Sequence, residues 1–264
     1  MSSLARGLID YHIHTVFSDG KSTHNDYIAS ALKTGLTEIG FTDHICHRPV
    51  PWSMELSRIA ELKKTVTTLK NLELPGVKLG IEMDYLPGHE SDIHSVIRAL
   101  EPDYVIGSVH FIGDWNYDSP LYISRFSERD LMEIYSEYFD LVGKAAKSGL
   151  FDIIGHADLI KKFGHVPGKP LTDLYSKALK IIKSADVCIE LNTSGRDRPC
   201  GEFYPCDEFI GISSSMGIPV TLGSDAHTAD ELGRYFGEAI QLLKKLGYRD
   251  VSIFKKRCRE QFKI

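Results

Sequence analysis

The chain has 264 residues, 42% hydrophobic and 25% charged, with a net charge of -5 when histidine is neutral. That is apolar material for a large core in one domain or two. The lack of a run of like charges argues against nucleic acid or anionic membrane as the main partner, the Lys/Arg-rich tail from Lys255 to Lys263 being the exception, and the lack of any apolar run near ~20 residues against a bilayer span.

The first strand is Leu8-Ile9-Asp10-Tyr11-His12-Ile13-His14, an apolar run leading into two histidines one residue apart. Alternation in an extended chain points both to the same side, an arrangement natural around a divalent cation. Ser18-Asp19-Gly20 is a turn, and Thr23-x-x-Asp26 caps a helix that runs to Lys33 and stops at Gly35. A second strand, Glu38 to Thr42, ends in Thr42-Asp43-His44; a Pro/Trp loop and a helix from about Met54 to Leu72 follow. Strand three, Val77 to Ile81, ends in Glu82-Met83-Asp84, and a helix near Asp92 to Leu100 is cut off by Glu101-Pro102. Strand four, Tyr104 to Val109, ends in His110, and an aromatic loop leads to Ser127-x-x-Asp130, the expected cap of a long helix ending at Gly149.

Strand five, Asp152 to Ile154, leads into Gly155-His156-Ala157-Asp158, and Thr172 opens a helix reaching Ala185. Strand six, Val187 to Leu191, runs into Asn192-Thr193-Ser194-Gly195-Arg196. A helix from Asp207 to Met216 precedes strand seven, Pro219 to Leu222, which enters Gly223-Ser224-Asp225-Ala226-His227. Thr228-x-x-Glu231 reads as the capping box of the last long helix. A weak eighth strand around Val251 to Phe254 precedes a basic tail, Lys255 to Lys263, expected as the solvated face of a final helix. Seven strand–helix alternations without a linker imply a parallel sheet with helices outside. The expected fold is α/β, a distorted, TIM-like (β/α)7 barrel forming one domain over residues 1–264.

In such barrels the active site lies past the C-terminal ends of the strands. The side chains there are His12, His14, Asp19, His44, Glu82, His110, His156, Asp225 and His227, from six of the seven strands. Nine ligands exceed what one ion takes, so two or three ions are implied. Imidazole and carboxylate without thiolate suit zinc, manganese or iron and disfavour calcium. Three divalent ions bring six positive charges, against which Asp19, Glu82 and Asp225 return three. The surplus calls for hydroxide and an anionic substrate, and clustered metals that clamp attacking and leaving oxygens hydrolyse phosphate esters. His24, His47, His89, His94 and His165 lack the strand-end placement, although His47 and His165 fall in loops on the active-site side. The five cysteines (Cys46, Cys188, Cys200, Cys206, Cys258) contain no C-x-x-C, and the first residues are too short and polar for a signal peptide. Both point to the cytoplasm, with Cys200 and Cys206 close enough in sequence for a local thiol pair.

Asp10-x-His12-x-His14, Thr42-Asp43-His44, Ser108-Val109-His110, Gly155-His156 and Gly223-Ser224-Asp225-Ala226-His227 resemble the ordered motifs of the polymerase-and-histidinol-phosphatase (PHP) superfamily. Gly80-Ile81-Glu82-Met83-Asp84-Tyr85, Ser108-Val109-His110-Phe111 and Glu190-Leu191-Asn192-Thr193-Ser194-Gly195 resemble its monofunctional histidinol phosphate phosphatases. The resemblance implies a trinuclear centre of zinc, manganese or iron, with His12, His14, Glu82 and Asp225 on one ion. Glu82, His110 and His156 would hold a second, and Asp19, His44 and His227 a third. It also implies L-histidinol phosphate as substrate; a nucleotide or other small phosphate ester is the alternative. Arg196 is the expected phosphate clamp, with Arg198 its rival, because a guanidinium binds two oxygens at once. Lys161 or Lys162 would add a second cation, and Asp84, Asp158 and Asn192 would orient ligands. His47, Trp52, Trp115, Tyr117 and Asp118 are aromatic and charged loop groups suited to an imidazole bearing an ammonium. Oligomeric state is not legible in the sequence.

Overall fold

The computed structural model describes residues 7–73 and 75–264. Strand β1 (Leu8–Asp10) lies parallel to β2 (Leu36–Phe41), which after a two-residue break is prolonged by β3 (His44–Ile45). The next stretch is broken in the same way, with β4 (Gly76–Leu79) beside β2 and β5 (Glu82–Asp84) beside β3. Then follow β6 (Ile106–Ser108), a small antiparallel hairpin of β7 (Phe111–Ile112) and β8 (Trp115–Asn116), and the parallel strands β9 (Ile153–Ile154), β10 (Cys188–Asn192) and β11 (Val220–Gly223). The last strand returns to the first: Tyr11 N donates to Leu222 O at 3.0 Å, and His14 N to Ala226 O at 2.9 Å. The ring is therefore closed, a distorted (β/α)7 barrel of parallel strands that are buried on both faces except at Thr37 and Glu38 of β2 and Gly76 and Lys78 of β4.

Among the described residues, seven α-helices surround the barrel: α1 (His24–Thr34), α2 (Ile59–Leu69), α3 (Glu90–Leu100), α4 (Leu131–Lys147), α5 (Thr172–Ser184), α6 (Asp207–Ser215) and α7 (Phe236–Lys245). α1 starts and stops where its sequence signals stand, with a reciprocal Thr23–Asp26 capping box and Gly35 at φ 80°. Two other starts fall later than the spacing predicts. Asp130, not Ser127, accepts the first amides of α4. The Thr228–Glu231 box closes one 3-10 turn, and α7 begins only at Phe236, past Gly233. No helix among the described residues is long and apolar enough to cross a membrane.

The basic tail is not a helix. β12 (Asp250–Lys255) and β13 (Cys258–Lys263) form an antiparallel hairpin through Lys256 and Arg257, both at positive φ (50° and 64°), the geometry of a tight hairpin turn. What selects it lies far away in sequence. Asp103 O accepts from Arg257 N at 2.7 Å, and the Arg257 guanidinium meets Asp152 at 2.8 Å. Val251 and Phe254 are buried, Phe254 against Tyr11 and Tyr104, whose rings stack at 4.6 Å. The hairpin thus plugs the N-terminal end of the barrel and leaves the C-terminal end for chemistry.

Candidate metal centre

All nine side chains expected past the strand ends converge. They fall into four overlapping groups, each with ligand atoms within 4.8 Å of one another: His14/Asp19/His44/His227, His12/His14/Asp225, His12/Glu82/His156 and His44/Glu82/His110. Glu82, 1% exposed, is the hub. Its Oε1 lies 2.8 Å from His156 Nε2 and 3.7 Å from His110 Nε2, while its Oε2 lies 3.2 Å from His12 Nε2 and 3.4 Å from His14 Nε2. Its two oxygens thus face two different sets of imidazoles. Asp225 Oδ1 closes the second set at 3.2 Å from His14 Nε2. Asp19 approaches His227 Nε2 at 3.4 Å and His44 Nε2 at 3.9 Å. His44 spans two groups, since its Nδ1 also sits 2.7 Å from Glu82.

Backbone strain helps to aim these groups. His156 and Asp225 have φ of 23° and 52°, a region that non-glycine residues avoid and that clusters at functional sites. Gly223 leaves room for the carboxylate behind His12: a Cβ there would lie 1.9 Å from Glu190 Oε1 and 2.6 Å from His12 Cβ.

Glu190 was not singled out by strand-end placement, because it lies inside β10. Its Oε1 is 2.6 Å from His12 Nδ1, and its Oε2 accepts from His156 N at 2.8 Å. A buried acid inside the apolar run Cys188-Ile189-Glu190-Leu191 was the available signal. Asp84 does the same for His110 Nδ1 at 3.0 Å, and Asn192 bonds Glu190 at 3.2 Å and Asp225 at 3.5 Å. With Nδ1 of His12 and of His110 held by carboxylates, each Nε2 lone pair is left facing the centre. Asp43 accepts from Thr15 N and from the Ser18 hydroxyl, and so shapes the turn that carries Asp19.

The donor set fits divalent ions by an observation independent of family. His12 Nε2, both ring nitrogens of His14, Asp19 Oδ1, His44 Nδ1 and Glu82 Oε2 are buried and, although some lie close to one another, make no well-directed hydrogen bond, a costly state for six converging polar atoms unless something else binds them. The charge balance agrees. Burial opposes charge on His110, but Asp84 and Glu82 outweigh it and push its pKa up to about 10. His227 goes up to about 9, with Asp19 and Asp225 prevailing over burial. His14, buried between His44 and His227, is held down to about 3. Carboxylates that hold protons on neighbouring imidazoles are equally placed to hold cations in their stead.

A cavity of about 260 Å³ opens onto this centre. Besides ligands, its walls are Trp52, Asp118, Leu159, Lys162, Arg198 and Tyr204. This changes two expected roles. Lys161 is 3% exposed and is bound by Asp158, Glu202 and Phe203 O at 2.8–2.9 Å, so its neighbour Lys162 is the cation at the cavity. Arg196 stacks on Phe203 and pairs with Glu238 at 3.3 Å, and it is Arg198 that faces the cavity. Asp158 serves Lys161 and Cys206 N, not a ligand. His47 stacks on His89 and His165 on Phe126, away from the centre, and all five cysteines are free.

Residues 10–194 match a family model described as PHP domain, and residues 207–239 one described as PHP-associated. The chain belongs to the PHP domain family. It is 38% identical over 253 residues, 93% of this chain and 96% of the relative, to a protein of Deinococcus radiodurans named probable histidinol-phosphatase. It is 28% identical over 257 residues, 93% and 94% of the two chains, to the histidinol-phosphatase of Lactococcus lactis. Among solved structures, the histidinol phosphate phosphatase of Lactococcus lactis complexed with zinc, L-histidinol and phosphate superposes with a TM-score of 0.82. It is 23% identical and covers 96% of this chain and 98% of its own, a likeness that establishes the PHP barrel fold.

Proposed function

We propose that this PHP protein is a metal-dependent phosphomonoesterase that hydrolyses L-histidinol phosphate to L-histidinol and phosphate. The observation that carries the reading is Glu82, a buried carboxylate whose two oxygens face different sets of imidazoles within one cluster of nine ligands. The relatives at 38% and 28% identity, both named histidinol-phosphatase, support the substrate. So does the Lactococcus structure with L-histidinol and phosphate bound.

His12, His14, Glu82 and Asp225 would hold one ion, Glu82, His110 and His156 a second, and Asp19, His44 and His227 a third. Bound zinc, manganese or iron supplies a nucleophile at neutral pH and Lewis-acid stabilisation of the phosphoryl oxygens. The chain's own part is orientation and charge. Glu190 and Asp84 fix the His12 and His110 rings from behind. Lys162 and Arg198 face the cavity as the cations for phosphate, and Trp52 and Leu159 keep its walls apolar. The entire chain, 1–264, would act as one phosphoesterase domain in the cytoplasm on a small metabolite, without nucleic acid or membrane as partner.

The test is elemental analysis together with phosphate release. Two to three transition-metal ions per chain and activity lost to a chelator are expected; full activity with at most one ion would contradict the reading.

A further inference from the structure

We infer that Asp118 receives the substrate's ammonium group and so sets the preference for amino-alcohol phosphates over simple esters; this rests on the phosphatase reading above. Among the described residues lining the cavity, Asp118 is the one acid outside the set of nine ligands. The other walls are neutral (Trp52, Leu159, Tyr204) or cationic (Lys162, Arg198). A substrate with a phosphate and an ammonium needs both kinds of counter-charge, and here they adjoin. Lys162 Nζ lies 3.2 Å from Asp118 Oδ2 and 2.9 Å from the Asp118 carbonyl oxygen.

That adjacency matches the substrate's connectivity. In L-histidinol phosphate the ammonium nitrogen is three bonds from the ester oxygen. A carboxylate meant for it must therefore stand beside the phosphate cations, while the imidazole reaches further out. At pH 7 the amine is mostly protonated, whereas an imidazole with a pKa of about 6.5 is mostly neutral, so the carboxylate gains more from the ammonium. The carboxylate is also pre-placed. The preceding Tyr117 is fully buried, bonded to Val109 O and packed at 5.5 Å against Tyr138, and the Asp118 side chain is only 20% exposed. A group held in this way loses little freedom on binding.

Asp118→Asn, Lys162→Met and the wild type, each loaded with metal, are compared on three esters: L-histidinol phosphate, its analogue lacking the amino group, and p-nitrophenyl phosphate. Calorimetric titration with L-histidinol adds a readout that needs no turnover. Asp118→Asn is expected to lower the ratio of kcat/KM for L-histidinol phosphate to that of the desamino ester about ten- to a hundredfold, chiefly through KM, and to weaken L-histidinol binding by a similar factor. Lys162→Met is expected to lower all three esters together. An Asp118→Asn loss equal on every ester, as from misplacing Lys162, overturns the inference, and so does no loss. The wild type decides even if the variant does not fold: equal kcat/KM with and without the amino group also overturns it. A wild type that prefers p-nitrophenyl phosphate to L-histidinol phosphate overturns the substrate reading as well.

Discussion

Glu82 and Glu190 sit back to back across the His12 ring and do different work. Glu82 faces the centre, whereas Glu190 fixes the ring from behind. Removing a carboxylate that holds a ligating histidine typically costs ten- to a hundredfold in metal affinity or activity, so Glu190→Gln is expected to weaken metal retention by about that factor. Metal content after dialysis against graded chelator reads this directly, and an unchanged retention curve would refute it. Arg198→Ala should lower kcat/KM on phosphate esters roughly ten- to a hundredfold, the worth of a charge-assisted contact of about 1.5–3 kcal/mol. Arg196→Ala should stay near wild type, because that guanidinium is spent on Glu238 and Phe203. The sign of the pH effect follows from His227 and His110, raised to about 9 and about 10. Without metal both hold protons at pH 7–8. Their contribution to the metal-free fold is full below about 6.5 and lost as pH rises through 9 and 10. Metal binding displaces those protons, so titrating metal into chelated protein in weak buffer at pH 7.5 should acidify it. Activity and metal content should both fall towards pH 4, where protons win the ligands back.

The loop from Ser194 to Cys206 carries Arg198 and Tyr204, and its fastening is Lys161. That ammonium, nearly without exposure, joins Asp158 on one side to Glu202 and Phe203 O on the other, while Asp158 also takes Cys206 N at 2.8 Å. Breaking a buried pair leaves an uncompensated charge and costs roughly 3–5 kcal/mol. Lys161→Met is therefore expected to lower Tm and raise KM while metal content stays at the wild-type level; loss of metal with KM unchanged would contradict this. At the opposite end, Phe254→Ala should cost about 3–5 kcal/mol by opening a cavity beneath Tyr11 and Tyr104, as denaturant unfolding would measure. The strand that bears Phe254 was legible in sequence, as the weak eighth strand, but its hairpin partner Cys258–Lys263 was not. Its Lys/Arg-rich pattern fits a solvated helix equally well, and the groups that select a hairpin, Asp103 and Asp152, are about a hundred residues away or more. The late start of α7 has a similar cause: Thr228 and Glu231 make their box locally, but Gly233 at φ 68° breaks the continuation.

The barrel and the convergence of nine metal-competent side chains were legible because six of the seven strands repeat one simple rule, an apolar run ending in a His, Asp or Glu. Which cation lines the cavity was not, since Lys161 and Lys162, or Arg196 and Arg198, differ only in the direction a short 3-10 turn gives them. Glu190 escaped for the opposite reason: it lies within a strand, and only closure of the ring brings it behind His12. The claim that unites these parts is that one metal-bearing mouth, lined by Lys162, Arg198 and Asp118, reads a phosphate beside an ammonium. Its most direct test is the specificity constant for L-histidinol phosphate set against those for mononucleotides and p-nitrophenyl phosphate on the same metal-replete protein. L-histidinol phosphate is expected to lead by orders of magnitude; equal constants for L-histidinol phosphate and mononucleotides would contradict that claim.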